Sequence, residues 1–229
     1  MASQLTTIKV PDRKTQIFAY LCGMGCAALV AGLLLDQPQF AAVSKVIAST
    51  ALVATAIAAG ALVSRYGVVI LVGLFLSWFG DAFLIGESER WFLFGLISFL
   101  LAHVAYTTAF VGAGVDRNWT LGAAVPVAVI AVLVLLWLAP LVPGDLMWPV
   151  RIYTAVISLM VITAFGTLGA GASVLIVAGA CLFFISDLSV AATRFADPLF
   201  PTYVLGLPLY YAGQLCLALS VSSARSPRQ

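Results

Sequence analysis

Eight runs of about 20 mostly apolar residues follow one another along this chain, at 17–35, 42–64, 67–86, 91–112, 119–139, 150–168, 172–195 and 203–222. A run of that length crosses the hydrocarbon core of a bilayer as a helix. Lipid offers no hydrogen bonds, so a helix, which pairs its backbone groups within its own segment, is the form such a run takes there. The connectors are short and punctuated by Asp36-Gln37-Pro38, Gly86-Glu87-Ser88, Asp116-Arg117-Asn118, Pro140 to Pro149 and Asp197-Pro198. None could fold alone. The expectation is an all-α integral membrane protein, a bundle of eight transmembrane helices in one domain over 1–229. The sixth run passes into the seventh through Gly166, Gly169 and Gly171 with almost no polar break.

Charge agrees. Only 9% of residues are charged, against about 25% in soluble domains. The net charge of +2 gives no electrostatic support for binding nucleic acid. The polar start, with Lys9, Arg13 and Lys14, leads into an apolar run too long for a signal-peptide core and without an A-x-A-like cleavage site. The first run is therefore read as a retained span. With eight spans both ends share a side. That side carries Lys9, Arg13, Lys14, Arg65, Arg117, Arg225 and Arg228, whereas the other carries Lys45, Arg90, Arg151 and Arg194. The excess predicts that both termini face the cytoplasm. Short loops and Ala/Gly/Val-rich spans suggest a bacterial inner membrane.

A shift of 106 residues brings Asp81 onto Asp187 and Lys45 onto Arg151. Spans one to four then overlay spans five to eight in the same orientation, as in a parallel repeat about an axis along the membrane normal. Beyond these positions the match is thin, and coincidence competes with duplication.

Ionisable side chains inside a span are costly, so their presence calls for a reason. Asp81 and Asp187 lie well inside the third and seventh runs, each after a small residue, Gly80 or Ser186. His103 is the lone histidine and lies mid-span. At about 1.5 Å of rise per residue, Lys45, Asp81, His103, Arg151, Tyr153, Asp187, Tyr210, Tyr211 and Gln214 all fall in one half of the membrane or near its midplane. Leftover polar residues would scatter over both leaflets. The convergence predicts a single polar site.

One histidine and two aspartates make a sparse metal site, and no H-E-x-x-H is present. No G-x-S-x-G elbow offers a serine nucleophile. Cys22, Cys26, Cys181 and Cys216 sit in apolar runs as packing residues. What remains is a pair of carboxylates in a dry site, an environment that can set an acid apart from a base. The residues by themselves leave open a proton-coupled carrier of small solutes and a non-catalytic lipid-binding protein. Lys45 and Arg151 could also snorkel to the interface, and either aspartate could be structural.

The order of motifs narrows this. Ser77-x-x-Gly80-Asp81, Gly95 with His103-x-x-Tyr106, Tyr153, Ser186-Asp187 and Tyr210-Tyr211-x-x-Gln214 occur in sequence across the spans. Together with Lys45 they resemble the YhhN-like lysoplasmalogenase family over about residues 40 to 220. A departure is Val46, where that pattern has proline. The resemblance implies an eight-span enzyme that hydrolyses the vinyl-ether bond of lysoplasmenylethanolamine or lysoplasmenylcholine. The products would be a fatty aldehyde and the glycerophospho-headgroup. It implies no cofactor and no metal, and as partners only the lysophospholipid substrate and membrane lipid. Asp81 and Asp187 are then the expected catalytic pair, with the acid and base not distinguished. His103, Tyr106, Tyr153, Ser186, Tyr210, Tyr211 and Gln214 are expected to line or orient the site, with Lys45 and Arg151 on the lipid phosphate.

Overall fold

The computed structural model describes residues 11–222. Lys9, Arg225 and Arg228, three of the residues used for the orientation, lie outside them. The described chain is helical: α1 Arg13–Leu34, α2 Pro38–Ala58, α3 Arg65–Phe83, α4 Glu89–Ala113, α5 Arg117–Leu138, α6 Met147–Gly169, α7 Val174–Ala191 and α8 Tyr203–Ser220. Each is long and apolar enough to cross a membrane, α7 together with the π-turn Ala192–Ala196 that extends it. The chain is a multi-pass integral membrane protein.

Several helices begin two to four residues before their apolar runs, because capping rather than hydropathy sets where they start. Asp12 Oδ1 accepts from Thr15 N at 2.9 Å, Ser64 Oγ from Gly67 N at 3.0 Å, and Asp116 Oδ1 from Asn118 N and Trp119 N at 2.9 and 3.0 Å. Each satisfies N–H groups that the first turn leaves without partners. In α2, Pro38 occupies the first turn, where its missing N–H is no loss. The second run, expected to continue to 64, ends as α-helix at Ala58. Gly60 at φ +91° turns the chain into a 3₁₀ turn, Ala61–Val63. Between α6 and α7, Gly171 at φ +81° makes the break that the sequence barely marks.

Consecutive helices pack as antiparallel neighbours: α1 with α2, α3 with α4, α5 with α6 and α7 with α8. Lipid tails are as apolar as the helix surfaces, so close approach rather than exclusion from water holds such pairs together. The α7/α8 seam shows this: a Cβ on Gly179 would sit 2.8 Å from the carbonyl oxygen of Gly213, and one on Gly213 would sit 2.9 Å from that of Gly179.

The pairs α1/α2, α2/α3, α3/α4 and α2/α8 have counterparts in α5/α6, α6/α7, α7/α8 and α6/α4. These are the pairs that the shift of 106 residues would exchange. The correspondence is incomplete. Helix α1 also packs on α8, whereas among the described residues α5 has no comparable packing on α4. Helices α1 and α5 are peripheral, with the smallest buried shares among the eight helices of the described chain.

Candidate active site

At the end of the bundle opposite the start of α1 and the end of α8, α2 to α8 surround a cavity of about 430 Å³. Its wall is mainly apolar, with Leu96, Phe99, Val134, Ile157 and Phe184 among its members. Against that background stand Lys45, Asp81, Tyr153, Ser186, Asp187, Arg194 and Tyr210.

Asp81 sits near the C-terminal end of α3 and is 4% exposed. Its Oδ2 accepts from Ser49 Oγ of α2 at 2.6 Å and from Tyr210 OH of α8 at 2.8 Å. Tyr211 OH lies 3.0 Å from Ser49 Oγ and donates to the Lys45 carbonyl at 3.4 Å. Behind Tyr210, Gln214 Nε2 donates to its hydroxyl at 3.4 Å, while Tyr106 OH donates to Gln214 Oε1 at 2.7 Å. Ser77 Oγ closes the chain 3.4 Å from Tyr106 OH. These groups come from four helices, α2, α3, α4 and α8. Room for Tyr106 comes from Gly73 of α3, where a Cβ would collide with the ring.

Asp187, on α7, has a second set of partners. Its Oδ2 accepts from Tyr153 OH of α6 at 2.6 Å, and His103 Nε2 of α4 lies 3.9 Å from the same oxygen. His103 is fully buried, and neither ring nitrogen has a hydrogen-bond partner. Its ring packs edge-on against Tyr153 and Phe183, with centroids 5.2 and 4.6 Å apart. Buried polar groups almost always find partners. The imidazole of His103 is thus buried beside a carboxylate with no protein hydrogen bond among the described residues.

The two carboxylates are served in a matched way. Asp81 on α3 is met from α2 and α8, and Asp187 on α7 is met from α6 and α4. These are the same helix relations that the shift of 106 residues exchanges.

Of the residues expected from sequence, Lys45, Asp81, Tyr153, Ser186, Asp187 and Tyr210 line the cavity. Tyr106, Tyr211 and Gln214 stand behind it in the Asp81 network, and His103 stands behind Asp187. Arg151 is not among the lining residues. It is exposed on α6, with its guanidinium carbon 5.3 Å from the centre of the Trp148 ring. The reason is rotation. Arg151 precedes Tyr153 by two residues, about 200° around a helix, and it points to the exposed side of α6 while Tyr153 faces the cavity.

Two lining or supporting residues were not singled out. Ser49 follows Lys45 by four residues and so shares its face of α2. Arg194 lies seven residues after Asp187, two turns along the same face, in the π-turn that ends α7. Its guanidinium carbon is 4.7 Å from the Phe92 ring centre. Both spacings were available in the sequence.

Comparison with known proteins bears on this whole assembly. The model of the YhhN family matches residues 40–221, which contain every residue of the cavity. Lysoplasmalogenase TMEM86A of Bos taurus is 33% identical over 164 residues, covering 69% of this chain and 67% of that protein. The Homo sapiens protein of the same name is 34% identical over 164 residues with the same coverage. A lysoplasmalogenase homolog of Dictyostelium discoideum is 30% identical over 199 residues, covering 69% of this chain and 64% of its own length. No solved structure matches.

Proposed function

The chain belongs to the YhhN family, and from that premise we propose that it is an intramembrane hydrolase that cleaves the vinyl-ether bond of lysoplasmalogens. The observation that carries the reading is the cavity. One apolar chamber inside the membrane holds two carboxylates from different helices, each accepting a hydrogen bond from a tyrosine.

The chemistry asks for such a pair. Hydrolysis of R–CH=CH–O–R′ begins with proton transfer to the carbon remote from oxygen. This leaves an oxocarbenium ion, R–CH₂–CH=O⁺–R′. Water adds to the positive carbon and gives up a proton, and the hemiacetal collapses to R–CH₂–CHO and HO–R′. The proton count closes, so no cofactor is consumed. One carboxylic acid delivers the first proton, and one carboxylate faces the cation, as in glycosidases with their similar transition state. Asp81, whose Oδ2 already accepts hydrogen bonds from two hydroxyls, is assigned to the cation. Asp187, with one hydroxyl donor and the free imidazole of His103 beside it, is assigned to proton delivery. His103 and Tyr153 position its carboxyl. The substrate is a single-chain lipid whose ether lies just below the headgroup, so a chamber near one end of the bundle suits it. The headgroup is ethanolamine or choline.

The decisive assay follows aldehyde release by purified protein from lysoplasmenylethanolamine and lysoplasmenylcholine, with an ester lysophospholipid beside them. Aldehyde from the vinyl ethers alone is the expected result. Fatty acid from the ester would make the protein a lysophospholipase, and no turnover of any of these lipids by folded protein would remove the hydrolase reading.

The phosphate of the lipid is assigned to Lys45 and Arg194, which line the cavity, in place of the expected Arg151. A charge-assisted hydrogen bond contributes roughly 1.5–3 kcal/mol. Lys45→Ala and Arg194→Ala are therefore expected to raise KM about tenfold or more with kcat little changed, and Arg151→Ala to change neither. Steady-state kinetics on the three variants checks the assignment. An Arg151 effect as large as that of Arg194 would reverse it.

A further inference from the structure

On the exposed side of the bundle a second cavity of about 700 Å³ runs between α5, α6 and α7. It is a groove open to lipid, and nearly all of its lining is apolar: Gly122, Pro126 and Val127 of α5, Phe165 of α6, Cys181 and Ile185 of α7 among others. Phe184 and Leu188 line both this groove and the chamber holding Asp81 and Asp187. The two spaces therefore adjoin across a wall of two side chains. Helix α5 makes the gap possible, because it packs on α6 and has no comparable packing on α7 among the described residues.

We propose that this groove holds the hydrocarbon chain of the substrate, and that the lipid reaches the chamber sideways from the bilayer between α5 and α7. The proposal rests on the lysoplasmalogen reading and adds where the chain lies. Three features favour a lipid chain here. The groove is contiguous with the chamber where the polar end of the molecule would react. On α5 it extends from Ile130, toward the chamber, back to Asn118 near the other end of the helix, twelve residues or about 18 Å, room for most of an extended hydrocarbon chain. The α5 wall is also cut back. Where that helix meets lipid elsewhere it carries Leu121, Val125, Val129 and Leu133, but in the middle of the groove, between Trp119 and Val127, it carries only Gly122, Ala123 and Pro126. A Cβ on Gly122 would meet nothing within 4 Å, so a larger side chain there grows into free space.

Gly122→Trp is therefore expected to fill the groove without displacing the fold, and Gly122→Leu to do so in part. With vinyl-ether substrates of hexadecenyl and octenyl chain, the ratio of kcat/KM, long over short, should fall about tenfold in Gly122→Trp and less in Gly122→Leu. A ratio unchanged in both variants overturns the proposal. A binding arm separates this from the hydrolase reading. A lysophosphatidylethanolamine with a diazirine on its terminal chain carbon is photolysed with the full-length protein, and the adducts are mapped by mass spectrometry. Labels concentrated on α5 and on the facing residues Phe165 and Cys181, and lost in Gly122→Trp, are expected. Labels spread equally over the lipid faces of α1 and α2, or unchanged by Gly122→Trp, would mean that the groove holds only bulk lipid. Should wild type cleave no vinyl ether, the hydrolase reading falls, and the labelling still decides for or against a chain in the groove.

Discussion

Asp81→Asn and Asp187→Asn should each lower kcat for aldehyde release by about 10³-fold, within the range of 10²–10⁴ that positioned acids and bases contribute. The substitution keeps the shape of the side chain and removes its ability to exchange a proton or face a cation with full charge. Folding should survive it. In Asp81→Asn the carbonyl oxygen of the new amide can still accept from Ser49 and Tyr210, which now meet Asp81 Oδ2 at 2.6 and 2.8 Å, with the amide nitrogen turned to the chamber. At position 187 the same rotation keeps the Tyr153 hydrogen bond. The measurement is turnover by purified protein, with thermal unfolding in detergent run in parallel. Loss of activity with the melting temperature held within a few degrees supports the two-aspartate chemistry. Retained turnover in both variants removes it, and loss of both activity and folded protein would assign the aspartates to the structure instead.

A large loss of stability is expected at Gly179→Val. Its Cβ would fall 2.8 Å from the Gly213 carbonyl oxygen and 2.7 Å from Leu217 Cδ2. Leucine can turn aside, but a backbone carbonyl in the next helix cannot, so α7 and α8 must move apart. Overpacking of this kind costs about 3 kcal/mol, and in lipid the lost contact is the main force joining the two helices. Tyr210 and Asp187 lie on these helices, so activity should fall with stability. Gly112→Val is the control, since a Cβ on Gly112 meets nothing within 4 Å. Unfolding in detergent with increasing SDS should separate the two variants. Equal midpoints would show that the seam does not need its glycines.

The spans were legible because burying a backbone in hydrocarbon leaves so few options. The helix ends were less so: Asp12 and Asp116 start their helices four and two residues ahead of the apolar runs, which an apolar window does not register. The polar site was legible as a set of depths, since rise per residue is fixed. What depth does not supply is rotation. In a soluble helix the apolar stripe shows which face is inward, but here core and lipid are both apolar and the stripe fades. Arg151 was therefore placed with the phosphate on depth and on its match with Lys45, and neither of these supplies its rotation, which turns it to the exposed side of α6. Ser49 was hidden for a related reason: a lone serine carries no signal in an apolar run until its phase with Lys45 is considered. The bare imidazole of His103 has no sequence counterpart at all. Its burial against Asp187 and Phe183 comes from the packing of α4 on neighbouring helices, which no local pattern encodes.

The matched setting of the two aspartates bears on how such a site can come to have two roles. In a pair of identical four-helix chains related by a two-fold axis, the two carboxylates would be equivalent and neither could be acid while the other was base, except by momentary asymmetry. Within one chain the halves are free to diverge, and these have: one carboxylate keeps a serine and a tyrosine, the other a tyrosine and an unbonded histidine. Under the proposed mechanism, that divergence would fit one carboxyl to deliver a proton and the other to face a cation.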